Sequence, residues 1–171
     1  MLSKKISKLL NEQVTDEYLN AYLYTDMAIY YARESLDGFS HWFKIQAQEE
    51  VSHAELIVGY LQDNGVNVKL GTLEKPAKEY KSHGDPLQYF LIKEKEVTKR
   101  FDILYSTAIE EKDYRTMKFL DWFISEQNEE EANANTLIDK YKLFGGNSGG
   151  LYGLDSELGQ RVYEAPSIAE E

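Results

Sequence analysis

From Leu10 onward, apolar residues return at alternating steps of four and three. Leu10, Val14, Ala21, Tyr24, Ala28 and Tyr31 share one helical face, and Glu17 takes the one place on it where another apolar residue is due. A second stripe reads Phe43, Ala47, Glu50, Ala54, Ile57, Leu61 and is also broken once, by a Glu. A third reads Leu87, Leu91, Glu94, Thr98, Phe101, Tyr105, Ala108, and a fourth Leu120, Phe123, Gln127, Glu130, Ala134, Leu137, Tyr141, Phe144. These patterns predict four helices, over residues 3–34, 40–64, 86–112 and 114–144.

The punctuation agrees with that division. Gly38 and Ser40 mark the first turn, with Ser40 as a helix N-cap; Asp85 before Pro86 opens the third helix; Gly145 and Gly146 close the fourth. The first and third connections are short, which makes their helices antiparallel neighbours. The second, "GVNVKLGTLEKPAKEYKSHGD", has no helical stripe and is long enough to run the length of a bundle. The expectation is an all-α four-helix bundle with one long crossover. After it, "GGNSGGLYG" reads as a flexible linker, and a short C-terminal fifth helix is expected around residues 155–163, capped by Asp155 or Ser156. Residues 1–163 then form one domain and 164–171 a polar tail.

The interruptions match between the two hairpins. Glu17 and Glu50 are as far apart in sequence as Glu94 and Gln127, and His53 follows Glu50 by the same step by which Glu130 follows Gln127. Each of these pairs lies on one helical face. Counting the helical rise of about 1.5 Å per residue from each short turn puts Glu17, Glu50, His53, Glu94, Gln127 and Glu130 in one layer at mid-bundle. A lone Glu on a stripe is ordinarily a partly exposed residue; four at one level require another explanation.

Charge sharpens the question. None of the stripe positions holds Lys or Arg, and an unpaired buried charge costs several kcal/mol, against about 5–15 kcal/mol for the stability of a whole domain. Protons could neutralise some of the carboxyl groups. Two divalent metal ions would balance Glu17, Glu50, Glu94 and Glu130, with His53 supplying a nitrogen. Carboxylates with one imidazole and no thiolate favour iron or manganese, with zinc admissible. Ions sharing carboxylates would stand about 3.5–4 Å apart, close enough to act on one bound oxygen species.

Composition narrows the rest. At 171 residues the chain is long enough for one self-sufficient core. It has no Cys, which excludes disulfides, thiolate metal sites and thiol nucleophiles and fits a reducing compartment. The N-terminal "MLSKKISKLLNEQ" lacks the apolar run of a signal peptide, and no stretch has the 18 or more apolar residues of a membrane span. A soluble, cytoplasmic protein is expected. The net charge of −11 disfavours nucleic acid and anionic lipid as partners and attracts cations.

With this layer, the sequence resembles the ferritins, most closely the non-haem bacterial ferritins, from about Leu2 to Tyr163. A Glu from each of two helices with Glu-x-x-His from the other two is the general pattern of di-iron bundles in this fold. Here Gln127 and Glu130 replace the second Glu and His, as they do in ferritins proper. The resemblance implies a ferroxidase centre that oxidises Fe(II) with O2 or H2O2, the ferric product being stored as mineral in a homo-oligomeric shell of 24 subunits. Carried over, Glu17, Glu50 and His53 would hold the first iron, and Glu50, Glu94 and Glu130 the second, with Glu50 bridging. Gln127 would stand beside the second, a weak neutral donor suited to passing iron on.

Glu49, Glu126 and Glu129 resemble the family's third iron site, although a solvated acidic helix face reads the same way. Tyr24 matches the tyrosine near the family's centre, and is equally an ordinary core Tyr. Val51 stands where bacterioferritins carry a haem-ligating Met, and the Cys-rich module of rubrerythrins is absent, so haem is not expected. Trp42 and Trp122 read as packing residues, His41 and His83 as surface histidines away from the layer, and the fifth helix as the lining of a four-fold channel. Three rival readings share the bundle. One is a di-iron oxidase or peroxidase that stores nothing, another a metal-free structural bundle with a protonated layer, and the third a DNA-protecting miniferritin, disfavoured by the acidic charge.

Overall fold

The structure is a computed structural model and describes residues 2–76 and 79–167. Its five helices are α1 (Lys4–Arg33), α2 (Asp37–Asp63), α3 (Asp85–Glu110), α4 (Tyr114–Phe144) and α5 (Ser148–Leu158). The first four form the bundle: α1 packs along α2, α3 along α4, and α1 also meets α3. Ser3 caps α1 by accepting from the Ile6 amide, and Asp113 caps α4 by accepting from Thr116.

Two helix starts differ from expectation. α2 begins at Asp37, so Ser40 is a buried residue inside the helix and not its cap. The turn falls instead at residues 34–36, with Ser35 at φ 59°. Leu36 offers no capping side chain, and the missing acceptor comes from the far end of the chain: Asp155 Oδ1 accepts from the Phe39 amide at 3.0 Å. Gly38 allows that approach, because a Cβ there would stand 1.7 Å from the Asp155 carbonyl oxygen. At α3, Gly84 occupies the N-cap position, and the Asp85 carboxylate closes the preceding turn by accepting from Lys81 N and Ser82 Oγ, each at 2.7 Å.

The C-terminal region departs furthest. Residues 148–153 of the Gly-rich stretch expected to be a linker are the first half of α5, opened by Asn147, whose side chain accepts from Gly150 N. The fifth helix thus spans residues 148–158, with Asp155 inside it serving α2 and residues 159–163 extending beyond it. Leu154 and Leu158 bury it against the bundle, which outweighs the low helix propensity of its three glycines. Of the expected polar tail, residues 168–171 lie outside the described residues.

The crossover runs the length of the bundle as expected, pinned to α1 where Asn11 Oδ1 accepts from Lys69 N (2.6 Å) and Thr15 Oγ1 from Gly71 N (2.9 Å), and near α3 where Tyr31 donates to the His83 carbonyl (2.6 Å). Of the four stripes, that of α3 has the wrong phase at alternate positions. Phe90, Val97 and Leu104 face the core, whereas Leu91, Thr98 and Tyr105 are only partly buried. Leu91 and Phe90 are both apolar neighbours of Leu87, so periodicity alone did not choose between them.

The core divides into two apolar clusters. One gathers Tyr24, Tyr31, Phe39, Phe43 and Phe90 with α5; the other gathers Ile6, Leu10, Ile57, Leu61, Phe101 and Phe123. The polar residues that interrupt the stripes belong to neither and separate the two.

Candidate metal centre

Each polar position of the layer is held by a helix whose apolar turns above and below are buried, so its side chain has nowhere to go but inward. Glu17, Glu50, His53, Glu94, Gln127 and Glu130 are all buried, none more than 4% exposed. One ligand atom from each of Glu17, Glu50 and His53 lies within 4.8 Å of the others, a spacing one ion can close. His53 Nδ1 stands 3.8 Å from Glu50 Oε2, and Nε2 stands 3.7 Å from Glu126 Oε1. The ring is held edge-on between Trp122 and Phe123.

The remaining members join through Glu50, whose charge raises the pKa of both Glu94 and Glu130. Tyr24 donates its hydroxyl to Glu94 Oε1, and Gln127 Nε2 donates to Glu94 Oε2 at 3.2 Å. Gln13 donates to Glu17 Oε1 (2.8 Å), and Gln46 to Glu130 Oε1 (2.9 Å) and Glu50 Oε1 (3.4 Å). One oxygen of Glu17 and one of Glu130, both Oε2, are buried with no hydrogen-bond partner. Buried carboxylate oxygens are rarely left so, and each of these two is free to accept from a cation.

Electrostatics describe the same deficit. Desolvation, then the Glu50 charge, raise the Glu17 and Glu94 carboxyls well above their usual range, and the same causes push Glu130 up to about 8. Burial lowers the pKa of His53, but the neighbouring Glu126 and Glu50 carboxylates overcome it and the net shift is upward. The layer therefore gathers protons wherever it lacks a stronger cation. Its oxygen-rich donor set with one imidazole fits hard or borderline divalent ions.

Comparison with known proteins decides the family. The model of the ferritin-like domain matches residues 7–144. The chain belongs to the ferritin family. It is 38% identical to a bacterial non-heme ferritin of Staphylococcus aureus over 96% of this chain and 99% of that one, and 39% identical to that of Staphylococcus epidermidis over 95% and 98%. Among solved structures, the open-pore ferritin of the hyperthermophilic archaeon Archaeoglobus fulgidus superposes with a TM-score of 0.92 at 38% identity, covering 94% of this chain and 98% of that one. An engineered closed form of that ferritin gives 0.93, covering 96% and 100%. The all-α ferritin bundle with its short fifth helix is thus the fold.

Of the carboxylates expected at a third site, that of Glu49 has its pKa raised by burial and, behind that, by the nearby charges of Glu50 and Glu126. Glu49 is paired with Arg161 of the C-terminal segment at 2.5 Å, Glu126 faces His53, and Glu129 is exposed. Among the described residues no acidic trio of these three forms. Tyr24 does reach the layer, edge-on to Phe90 at 5.1 Å and bonded to Glu94. Trp42 is a buried packing residue, and Trp122 packs on the His53 ring. His41 binds the Arg161 carbonyl and His83 lies 3.6 Å from Glu34, both away from the layer. Gln46 and Arg161 were not singled out from sequence. Gln46 stands one turn before Glu50 on the same face, and that spacing was the available signal.

Proposed function

We propose that this ferritin stores iron and is a ferroxidase: Fe(II) is oxidised by O2 or H2O2 at a dinuclear centre, and the ferric product is kept as mineral inside a homo-oligomeric shell, of 24 subunits by family resemblance. Glu17, Glu50 and His53 hold the first ion; Glu50, Glu94 and Glu130 hold the second; Glu50 bridges. The observation that carries this reading is the pair of unpartnered buried oxygens, Glu17 Oε2 and Glu130 Oε2, in one buried layer with Glu50 and His53.

Iron supplies the redox chemistry, and the chain supplies its setting. Two ferrous ions replace the protons that the raised carboxyl groups would hold, so loading releases protons and ends the charge deficit. The apolar clusters above and below exclude bulk water and fix the helices in register. Gln127 contributes a neutral oxygen donor beside Glu94, which leaves the second ion more weakly held and able to leave once oxidised. Tyr24 holds Glu94 in place from the opposite side. Nucleic acid is no part of this reading at a net charge of −11, and no helix among the described residues is long and apolar enough to cross a membrane.

The test is an aerobic Fe(II) titration of metal-free protein, following oxygen uptake and iron retained, beside a Glu50→Ala, Glu130→Ala double variant. Fast uptake that breaks at about two ions per chain, continues into a soluble mineral and vanishes in the variant is the expected result. Saturation at that break with no mineral indicates a non-storing di-iron oxidase. Oxidation no faster than iron in buffer indicates a structural layer.

A further inference from the structure

Beyond α5 the chain turns back along α2, and three contacts fasten it there. The His41 Nε2 lies 2.8 Å from the Arg161 carbonyl, the Arg161 guanidinium lies 4.2 Å over the Trp42 ring, and Tyr163 hydroxyl meets Ser52 Oγ at 2.7 Å. This path carries the Arg161 side chain to the edge of the buried layer. One guanidinium nitrogen donates to Glu49 Oε2 at 2.5 Å and the other to Gln46 Oε1 at 2.9 Å. Arg161 and Glu49 are each less than one-fifth exposed, and Gln46 is fully buried.

The chemistry of these donors fixes an orientation. Arginine offers N–H groups only, so the atom of Gln46 that faces it must be the carbonyl oxygen. The Gln46 NH2 then points the other way, onto Glu130 and Glu50, where it donates at 2.9 and 3.4 Å. The reverse orientation would set NH2 against guanidinium, donor against donor. With Glu130 Oε1 held in this way, Oε2 is the oxygen left without a partner.

We propose that Arg161 is a positioning residue for the second-ion half of the layer, acting through the Gln46 amide on Glu130. This rests on the dinuclear reading above and adds to it that the C-terminal segment takes part in metal binding without touching the metal. Groups one step removed from ligands commonly change metal affinity ten- to a hundredfold. The first ion, held by Glu17, Glu50 and His53, is linked to Arg161 only through the longer Gln46–Glu50 contact at 3.4 Å and is expected to respond far less.

The experiment is calorimetric titration of the metal-free, assembled protein with Zn(II), a redox-inert probe that resolves the two sites without oxidation. Wild type is expected to bind two ions per chain. Arg161→Met keeps first-ion affinity within about twofold and weakens the second about tenfold or more. Gln46→Met weakens the second ion likewise, and the double variant is no weaker at that ion than Gln46→Met alone, as a shared relay requires. Tyr163→Phe loosens the same segment at Ser52 while leaving Gln46 untouched, and binds both ions as wild type does. Equal second-ion affinity in wild type and Arg161→Met, additive effects in the double variant, or equal weakening by Tyr163→Phe would each overturn the relay while leaving the dinuclear reading intact. Wild-type protein that binds no ion would overturn the dinuclear reading and the relay with it.

Discussion

Metal-free protein should lose stability as pH rises through the neutral range, and Glu130 sets the scale. Its carboxyl is pushed up to about 8, from 4.5, first by desolvation and then by the Glu50 charge. Between those two values the folded state binds a proton that the unfolded chain has released, so the stability from this group is complete below about 4.5 and is lost as pH rises through 8. At about 1.4 kcal/mol per pKa unit, the loss is on the order of 5 kcal/mol. For a chain of this length that is on the order of 10 °C in melting temperature. Glu17, Glu94 and His53, all raised, act in the same direction. The assay is thermal melting of metal-free wild type and Glu130→Gln from pH 5 to 9, since the neutral amide removes the Glu130 contribution while keeping its shape. The variant should gain on wild type as pH rises from 5 to about 8, with the gain levelling off above that. Parallel profiles, or a wild-type profile that rises with pH as strongly as the variant's, would refute the assignment of buried, proton-holding carboxyls to this layer.

Other perturbations read separate parts of the structure. Gly38→Ala sets a methyl group against the Asp155 carbonyl; it should cost about 1–3 kcal/mol and raise hydrogen exchange in residues 148–163 while α1–α4 stay protected. Tyr24→Phe leaves Glu94 Oε1 without its donor and should lower metal-free stability by about 1–3 kcal/mol, with a smaller loss in Zn(II)-loaded protein, where the ion takes up the freed oxygen. Gln127→Glu adds a carboxylate beside Glu94 and should slow iron release and turnover while tightening second-ion binding; unchanged retention in a stopped-flow and dialysis assay would contradict the role given to Gln127.

Much of this was legible because helix packing turns sequence spacing into depth. Glu17, Glu50, Glu94 and Glu130 break apolar stripes, and a position between buried neighbours is itself buried, so the layer could be read before any coordinates. What escaped depended on contacts distant in sequence. The start of α2 is set by Asp155, more than a hundred residues away, so the local signal from Ser40 misled. The glycines of α5 suggest a linker until Leu154 and Leu158 are seen to be buried. The Glu49 pairing was hidden for the same reason: nothing near Glu49 in sequence announces Arg161. On α3, two adjacent apolar residues left the phase open, and only packing selected Phe90 over Leu91.

The central claim, that the layer is completed by two ions, is tested most directly by crystals of the assembled protein soaked anaerobically with Fe(II), using anomalous diffraction at the iron edge. The account requires two peaks per chain, about 3.5–4 Å apart, one among Glu17, Glu50 and His53 and the other among Glu50, Glu94 and Glu130. Iron density confined to exposed carboxylates, with Glu17 Oε2 and Glu130 Oε2 still unligated, would contradict it.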